Sequence, residues 1–173
     1  PGDTRAFDAV TGAHKWVFHS VPRPGEVGHE TWLDDGWRDR SGTNVWGPHM
    51  AVDEKLGLLY FALSSPSSNY YGGDRPGENL FGNSVVAVEG DTGKYRWHFQ
   101  LVHHDLWNYD NPGAPSLINI QQDGKTIPTL AYIGKSGWMF ILDRRTGEPI
   151  FGVEERPVAK GDVPGEWYSP TQP

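Results

Sequence analysis

Residues 87–97, which read AVEGDTGKYRW, contain the sequence pattern that decides the fold. The pattern runs from a small or apolar residue, through an acidic residue and a Thr-Gly pair, to an aromatic residue at its end. Residues 6–16 (AFDAVTGAHKW) repeat it, and residues 141–151 (ILDRRTGEPIF) repeat it with Phe in place of Trp. Each copy predicts an antiparallel hairpin, because a short apolar strand enters, Gly supplies the positive φ of the turn, and an aromatic-bearing strand returns.

The distances between the three copies predict a β-propeller. The Thr-Gly pairs end at Gly12, Gly93 and Gly147, so the intervals between them are 81 and 54 residues. An interval of about 50 residues is typical of a four-stranded propeller blade, by analogy with kelch and WD repeats. The longer interval fits one blade with an inserted loop at residues 21–42. Because no window has a sustained helical period of apolar residues, the predicted class is all-β.

The whole chain, residues 1–173, is predicted to be one partial propeller domain, with residues 160–173 as a linker or loop. Trp16, Trp97 and Phe151 are expected to wedge between neighbouring blades. Three such units cannot close a propeller, and both ends look cut, so we expect further blades in the natural protein. Other strand candidates and one more hairpin turn lie between the repeats, at residues 58–63, 116–120 and 129–133 and at residues 123–125.

Composition excludes several classes of function. A net charge of −7 argues against a nucleic-acid partner, since phosphate contacts need clustered Lys and Arg. No apolar run approaches the roughly 20 residues of a membrane span. The chain has no cysteine, which rules out a disulfide framework, a zinc-thiolate site and a thiol nucleophile within it. No Gly-rich phosphate cradle is present, which argues against a nicotinamide enzyme.

Two further stretches are not explained by packing: residues 43–48 (TNVWGP) and residues 103–112 (HHDLWNYDNP). Together with the Trp hairpins, they resemble the pyrroloquinoline quinone (PQQ) dependent dehydrogenases, in particular the branch of the membrane glucose dehydrogenase and its sugar- and alcohol-oxidising relatives. The resemblance extends over essentially the whole chain. It also includes residues 69–81 (NYYGGDRPGENLF), 97–100 (WHFQ) and 142–147 (LDRRTG).

The resemblance implies an eight-bladed propeller, of which this chain would hold roughly three blades. It implies PQQ in the central funnel and Ca²⁺ at the quinone edge, where the ion acts as a Lewis acid. A carboxylate would take the proton of a sugar or alcohol hydroxyl while hydride passes to the quinone. Electrons would then go to ubiquinone or a cytochrome c, and the expected location is the periplasm, with or without membrane association.

Site residues follow from the resemblance position by position. Trp46 matches the Trp whose ring lies under PQQ, and a flat indole suits a flat tricyclic quinone. Thr43 and Asn44 lie just before it and are candidates for hydrogen bonds to the PQQ carboxylates. Lys135 occupies the position of a cation that contacts the quinone oxygens, where it would stabilise developing negative charge.

The chain departs from the family pattern at two positions. Ser65 stands where the family usually places Asn or Thr beside the metal, and Asn108 stands where it places Asp, the proposed base and metal ligand. Asn108 lies 27 residues before Lys135, the interval expected between those two functions. An Asn carbonyl can still bind Ca²⁺, but the amide cannot accept a proton near neutral pH. Asp105 and Asp110 are the candidate replacement bases.

These departures leave two other functions open. One is a non-catalytic propeller that serves as a binding or assembly scaffold, which Asn108 and Ser65 favour. The other is a glycan-binding propeller that uses exposed aromatic residues such as Tyr70, Tyr71 and Trp107. Trp46, Lys135 and the long loop at residues 103–112 favour the PQQ-dependent dehydrogenase, because a pure scaffold has no use for them.

Overall fold

A computed structural model describes residues 2–47 and 49–173, and this part of the chain is built of short strands joined by loops. Two 3-10 turns, His29–Thr31 and Asp35–Trp37, lie in the loop predicted as an insertion. The strands are β1 (Thr4–Phe7), β2 (His14–Phe18), β3 (Met50–Asp53), β4 (Leu58–Ala62), β5 (Ser84–Glu89), β6 (Tyr95–Gln100), β7 (Ser116–Gln122), β8 (Lys125–Ile133), β9 (Met139–Asp143), β10 (Arg156–Pro157) and β11 (Thr171–Gln172).

The strands form one complete blade flanked by parts of two others. The middle sheet is four-stranded and antiparallel, in the order β3-β4-β5-β6. Before it in the chain comes the β1-β2 hairpin, and after it the three-stranded sheet β7-β8-β9; β10 pairs with β11. The all-β blade architecture predicted from the repeats is therefore confirmed.

The middle sheet is buried on both faces, which is why β5 is apolar at consecutive positions. Val85 and Ala87 point into a core shared with the β7-β8-β9 sheet, where Leu130 and Leu142 are buried. The alternate side chains of β5, Val86 and Val88, pack into a second core, which includes residues of β2. A strand covered on both faces reads as a continuous apolar run rather than an alternating one.

Each tryptophan of the repeat lies on the Thr-Gly turn of the next sheet. The Trp16 ring covers Gly93, and its Nε1 donates to the Gly90 carbonyl at 3.0 Å. The Trp97 ring covers Gly147, and its Nε1 donates to the Arg144 carbonyl at 3.1 Å. Both rings are buried, so the aromatic position is a sheet-to-sheet contact, as predicted.

The acidic residue and the threonine of the pattern stabilise the turn itself. In the first copy, the Asp8 carboxylate accepts from the backbone N–H and the hydroxyl of Thr11, each at 2.8 Å. These bonds lower the pKa of Asp8, since they favour its ionised form. In the second copy, the Thr92 hydroxyl donates to Glu89 at 2.8 Å.

The third copy differs from the first two. After β9 the returning segment makes one isolated bridge, Leu142 to Pro149, instead of a strand. Phe151 is 73% exposed, so the prediction that it wedges between blades is wrong for the described residues. Among the described residues, no Thr-Gly turn of a following sheet lies against the Phe151 ring, whereas Trp16 and Trp97 each cover one.

The other predicted elements have clear counterparts. Strands at residues 58–63, 116–120 and 129–133 are confirmed as β4, β7 and the second half of β8, and the turn at residues 123–125 joins β7 to β8. Residues 160–173, predicted as a linker or loop, contain the two-residue strand β11. In the described part of the chain, no helix has the length and apolar character needed to cross a membrane.

We expect Gly147→Ala to destabilise the fold far more than Gly124→Ala. Both glycines have positive φ, 81° and 71°, so each alanine meets the left-handed backbone cost of about 1–2 kcal/mol. A Cβ on Gly147 would also lie 2.6 Å from the Trp97 ring, whereas one on Gly124 meets nothing within 4 Å. Overpacking adds about 1–3 kcal/mol at Gly147 alone. Urea unfolding of the full-length variants measures the difference, and equal midpoints would contradict the proposed role of the contact.

Candidate functional site

The predicted site residues lie in loops that meet at one edge of the sheets. β4 and β6 run in the same direction in an antiparallel sheet, so the chain leaves both at the same edge. Ser65 follows β4, and the loop with Asn108 follows β6. The loop with Trp46 precedes β3, whose first residue pairs with the end of β4. Strand direction therefore collects residues that are far apart in sequence.

Lys135 connects three of the predicted residues. Its Nζ lies 5.2 Å from the centroid of the Trp46 ring, a cation–π distance. The same ammonium donates to the main-chain carbonyl of Asn108 at 3.2 Å and to the Asp110 carboxylate at 2.6 Å. The Asp110 side chain is buried, whereas Lys135 is about one-third exposed. The buried carboxylate thus holds the cation at the edge of an open aromatic face.

Asn108 has a fixed side-chain orientation. Its Oδ1 accepts from Asn69 Nδ2 at 2.6 Å, and its Nδ2 donates to the Tyr70 hydroxyl at 3.4 Å. Its backbone φ is 57°, in the left-handed region that Asn tolerates better than most residues. Both ends of the amide therefore have partners, and the amide offers no group that can take up a proton near neutral pH.

The Asp105 carboxylate organises the loop that carries Asn108. It accepts from the backbone N–H groups of Trp107 and Tyr109, at 2.8 and 2.7 Å. Asn83 Nδ2 donates to it at 3.0 Å, and the Ser65 hydroxyl donates to the same oxygen. Oδ2 accepts three of these four hydrogen bonds, and Oδ1 accepts the one from Trp107. Since Asp105 is also buried, this geometry disfavours its predicted role as a replacement base.

The described residues do not form a calcium site by themselves. The Ser65 hydroxyl donates to Asp105, and the Asn108 oxygen already accepts from Asn69. Among residues 2–47 and 49–173, no three His, Cys, Asp or Glu side chains are grouped to hold a metal ion. Calcium takes about six to eight oxygen ligands. Ser65 and Asn108 could supply two neutral ones, so most ligands would have to come from elsewhere in the protein.

The residues near Trp46 do fit a flat anionic cofactor. The Trp46 side chain is 41% exposed, which leaves aromatic surface available. Nearby, the Thr43 hydroxyl is buried and has no hydrogen-bond partner among the described residues. Thr43 also has φ of 53°, an outlier for a β-branched residue and a feature that clusters at ligand sites. Asn44 is exposed, and its Oδ1 accepts from the Ser64 hydroxyl at 3.1 Å.

Three residues that shape the site were not among those predicted. Asn69 binds Asn108, Asn83 binds Asp105, and Arg75 donates to the Asp105 carbonyl at 2.6 Å. Asn69 and Arg75 lie in the stretch 69–81 that carried part of the resemblance, which was the only available signal for them. Their partners are 39 and 30 residues away, too far for a local pattern to indicate.

Comparison with known protein families gives a match over the whole chain. The family described as "PQQ: Glucose/ethanol/alcohol dehydrogenase, beta-propeller domain" matches residues 1–173. A quinate/shikimate dehydrogenase (quinone) of Acinetobacter baylyi is 36% identical over 181 residues. A quinoprotein glucose dehydrogenase of Gluconobacter oxydans is 40% identical over 177 residues. Both alignments cover 99% of this chain and 21% of the relative, so the chain spans about a fifth of their length.

Solved structures give the same result. The quinohemoprotein alcohol dehydrogenase from Comamonas testosteroni superimposes with a TM-score of 0.77 at 32% identity, covering 86% of this chain and 24% of that one. A europium-containing methanol dehydrogenase gives a TM-score of 0.73 at 30% identity, covering 84% and 28%. The chain therefore belongs to the PQQ-dependent glucose, ethanol and alcohol dehydrogenase family and forms part of its β-propeller domain.

Proposed function

We propose that the protein containing this chain binds PQQ and oxidises the hydroxyl group of a sugar or alcohol. One observation carries the proposal: the Lys135 ammonium lies over the Trp46 ring and beside Asn108 at the same time. These are the residues that the family resemblance assigns to cofactor stacking, to charge stabilisation and to the position of the base and metal ligand. Their convergence from three separate loops supports a shared site rather than three independent packing roles.

The chain's own residues divide the work of holding the cofactor. Trp46 offers a flat apolar face, on which stacking adds roughly 0.5–1.5 kcal/mol beyond burial. The Thr43 hydroxyl is a donor for a cofactor carboxylate. Lys135, held by Asp110, would supply positive charge to stabilise negative charge that develops on a quinone oxygen. Bound PQQ would supply the two-electron acceptor for the substrate's hydride.

We also propose that Ser65 and Asn108 supply two of the oxygen ligands of a metal ion. Calcium is the ion that the resemblance implies, while one structural neighbour is described as containing europium. Because Ser65 and Asn108 contribute only neutral oxygens, we expect the negatively charged ligands to lie in other parts of the protein. We therefore assign Ser65 and Asn108 only a contribution to metal binding and no separate step of the reaction.

The proposed partners and location follow from family membership. We propose ubiquinone or a cytochrome c as the electron acceptor and the periplasm as the location, with membrane association as an alternative to a free form. Relatives are named as quinone-dependent and as quinohemoprotein dehydrogenases, which supports both kinds of acceptor. The chain is expected to work only with the other blades of its propeller.

A second function, a propeller that does not catalyse, is favoured by a specific observation. Asn108 stands at the position of the expected base, and both ends of its amide are hydrogen-bonded. Asp105 is buried and accepts four hydrogen bonds, and Asp110 is paired with Lys135. On this reading, the protein keeps the cofactor geometry and uses it for binding or assembly. A glycan-binding propeller would instead bind carbohydrate without PQQ.

We expect PQQ to quench the tryptophan fluorescence of the full-length protein in a saturable way. Trp46→Ala should weaken binding by about tenfold, since roughly 0.5–1.5 kcal/mol of stacking is lost together with buried area. Titration with and without Ca²⁺ separates the contribution of the metal.

Trp37→Ala is the matched control for this titration, because the Trp37 ring contacts Arg38 and His29 in the inserted loop instead of the site. We expect it to leave PQQ affinity unchanged. Absence of PQQ binding at every Ca²⁺ concentration would exclude the dehydrogenase and leave the scaffold. Retention on a carbohydrate matrix without PQQ would identify the glycan-binding alternative.

We expect Asn108→Asp to raise turnover by about 100-fold or more, the usual contribution of a positioned general base. The substitution preserves the shape of the side chain, and both carboxylate oxygens would have hydrogen-bond donors. Asn69 Nδ2 would still donate to the oxygen it now contacts, and the Tyr70 hydroxyl would donate to the other. Steady-state kinetics of the PQQ-loaded protein measures the change.

Asn119→Asp provides the same change of charge on β7, away from the site. It should alter neither kcat nor PQQ affinity. If Asn108→Asp binds PQQ as tightly as the parent and gains no turnover, residue 108 is not the missing base. In that case the non-catalytic function becomes the better description of the protein.

A further inference from the structure

Arg75 is the largest side chain that is completely buried in the described part of the chain. It belongs to the loop between β4 and β5 and forms no carboxylate ion pair in that part. Instead its guanidinium donates to three neutral oxygens. These are the Ser68 carbonyl at 3.0 Å, the Asp105 carbonyl at 2.6 Å and Asn79 Oδ1 at 2.8 Å.

The two carbonyls belong to the two loops that form the asparagine pair. Ser68 directly precedes Asn69, and Asp105 caps the loop that carries Asn108. Asn69 and Asn108 then meet side chain to side chain at 2.6 Å. The same nitrogen of Arg75, Nη2, contacts both carbonyls, so one group sets the distance between the loops behind the amide contact.

A buried guanidinium has a desolvation cost, so a role in apolar packing alone does not explain why a charged residue lies here. Burial, and then the charge of Arg40, lower the pKa of Arg75 to about 10. Buried charges need excellent hydrogen-bond geometry to offset desolvation. Arginine donates from separate nitrogens in one fixed plane, and here Nη1 binds Asn79 while Nη2 binds both carbonyls. Lysine carries its three donors on a single nitrogen, which cannot occupy both positions at once. The site therefore uses a property that is specific to arginine.

We propose that Arg75 is a positioning residue that sets the register of Asn69 against residue 108. Its guanidinium joins the Ser68 and Asp105 carbonyls, and through them it aligns the side chain at 108 with the open face near Trp46. The consequence for catalysis rests on the proposed function, whereas the alignment of the loops does not.

Arg40 offers a matched control. It is also largely buried and also holds the loop after β4, through the Ser67 carbonyl and both the carbonyl and the carboxylate of Asp74. In the described part of the chain, it makes no hydrogen bond or ion pair with the loop that carries Asn108. A change at Arg40 therefore perturbs the same loop with the same chemistry and leaves the Asp105 contact in place.

The test compares Arg75→Lys with Arg40→Lys in the full-length protein by hydrogen–deuterium exchange. We expect Arg75→Lys to accelerate exchange in peptides that cover residues 105–109 by about tenfold, because a hydrogen bond from a charged donor is lost. There the backbone N–H groups of Trp107 and Tyr109 donate to Asp105. Arg40→Lys should leave these peptides unchanged. Equal exchange in the two variants would overturn the proposal.

A kinetic measurement separates positioning from general stability. In the Asn108→Asp background, Arg75→Lys should lower kcat by about 10–100-fold, the effect of a misplacement near 1 Å, with PQQ affinity unchanged. Asn69→Ser should reproduce the kinetic loss without the change in exchange, since it removes only the final contact. Loss of PQQ affinity in parallel with kcat would assign Arg75 a merely structural role.

The exchange result stands even if the proposed function fails. If no variant binds PQQ, the dehydrogenase is excluded, and the exchange of residues 105–109 still decides whether Arg75 aligns the loops. If PQQ binds and exchange is unaffected by Arg75→Lys, the dehydrogenase stands and the positioning role is excluded.

Discussion

The contact between a tryptophan ring and the Thr-Gly turn of the next sheet is the constraint on which the rest of the structure depends. Trp16 on Gly93 and Trp97 on Gly147 fix how far one sheet is rotated and shifted against the next. Any side chain at these glycines would overlap with the indole ring. Each indole N–H also donates a hydrogen bond to a main-chain carbonyl of the turn. Because the loops leave the sheets at one edge, fixing the sheets also fixes where Trp46, Asn108 and Lys135 meet.

The site itself is assembled from buried polar contacts instead of apolar packing. Asp105 holds its own loop through two backbone N–H groups and binds Ser65 and Asn83 of the neighbouring loops. Asp110 connects the Ser65 backbone to Lys135. Buried networks of this kind are specific when every member is satisfied, since an unpaired group is costly in a low dielectric. This explains how loops without regular structure can present a cation and an aromatic face in a defined arrangement.

The parts that could be predicted from sequence are those that a short stretch of chain determines. The first two Thr-Gly hairpins, the turn at residues 123–125 and the apolar strands all follow from local pattern, and the structure contains them. Phe151 was mispredicted because a wedge needs a partner turn, which the pattern within one repeat does not report. The family resemblance brought Trp46, Lys135 and Asn108 together as candidates. Arg75 and Asn69 were missed because the site residues that they bind, Asp105 and Asn108, lie in a different loop, and only the three-dimensional arrangement of the sheets brings the two loops together.

The asparagine at position 108 separates the geometry of the site from its chemistry. An amide and a carboxylate have the same shape, and the Asn69 donor can serve either one, so the exchange leaves the packing and the loop contacts intact. What changes is the capacity to accept a proton, which an amide lacks near neutral pH. The fold is stabilised by the Trp-turn contacts and by Asp105, so its stability does not depend on a carboxylate at position 108. We therefore expect cofactor binding and turnover to be separable in this site, with the identity of residue 108 acting on turnover.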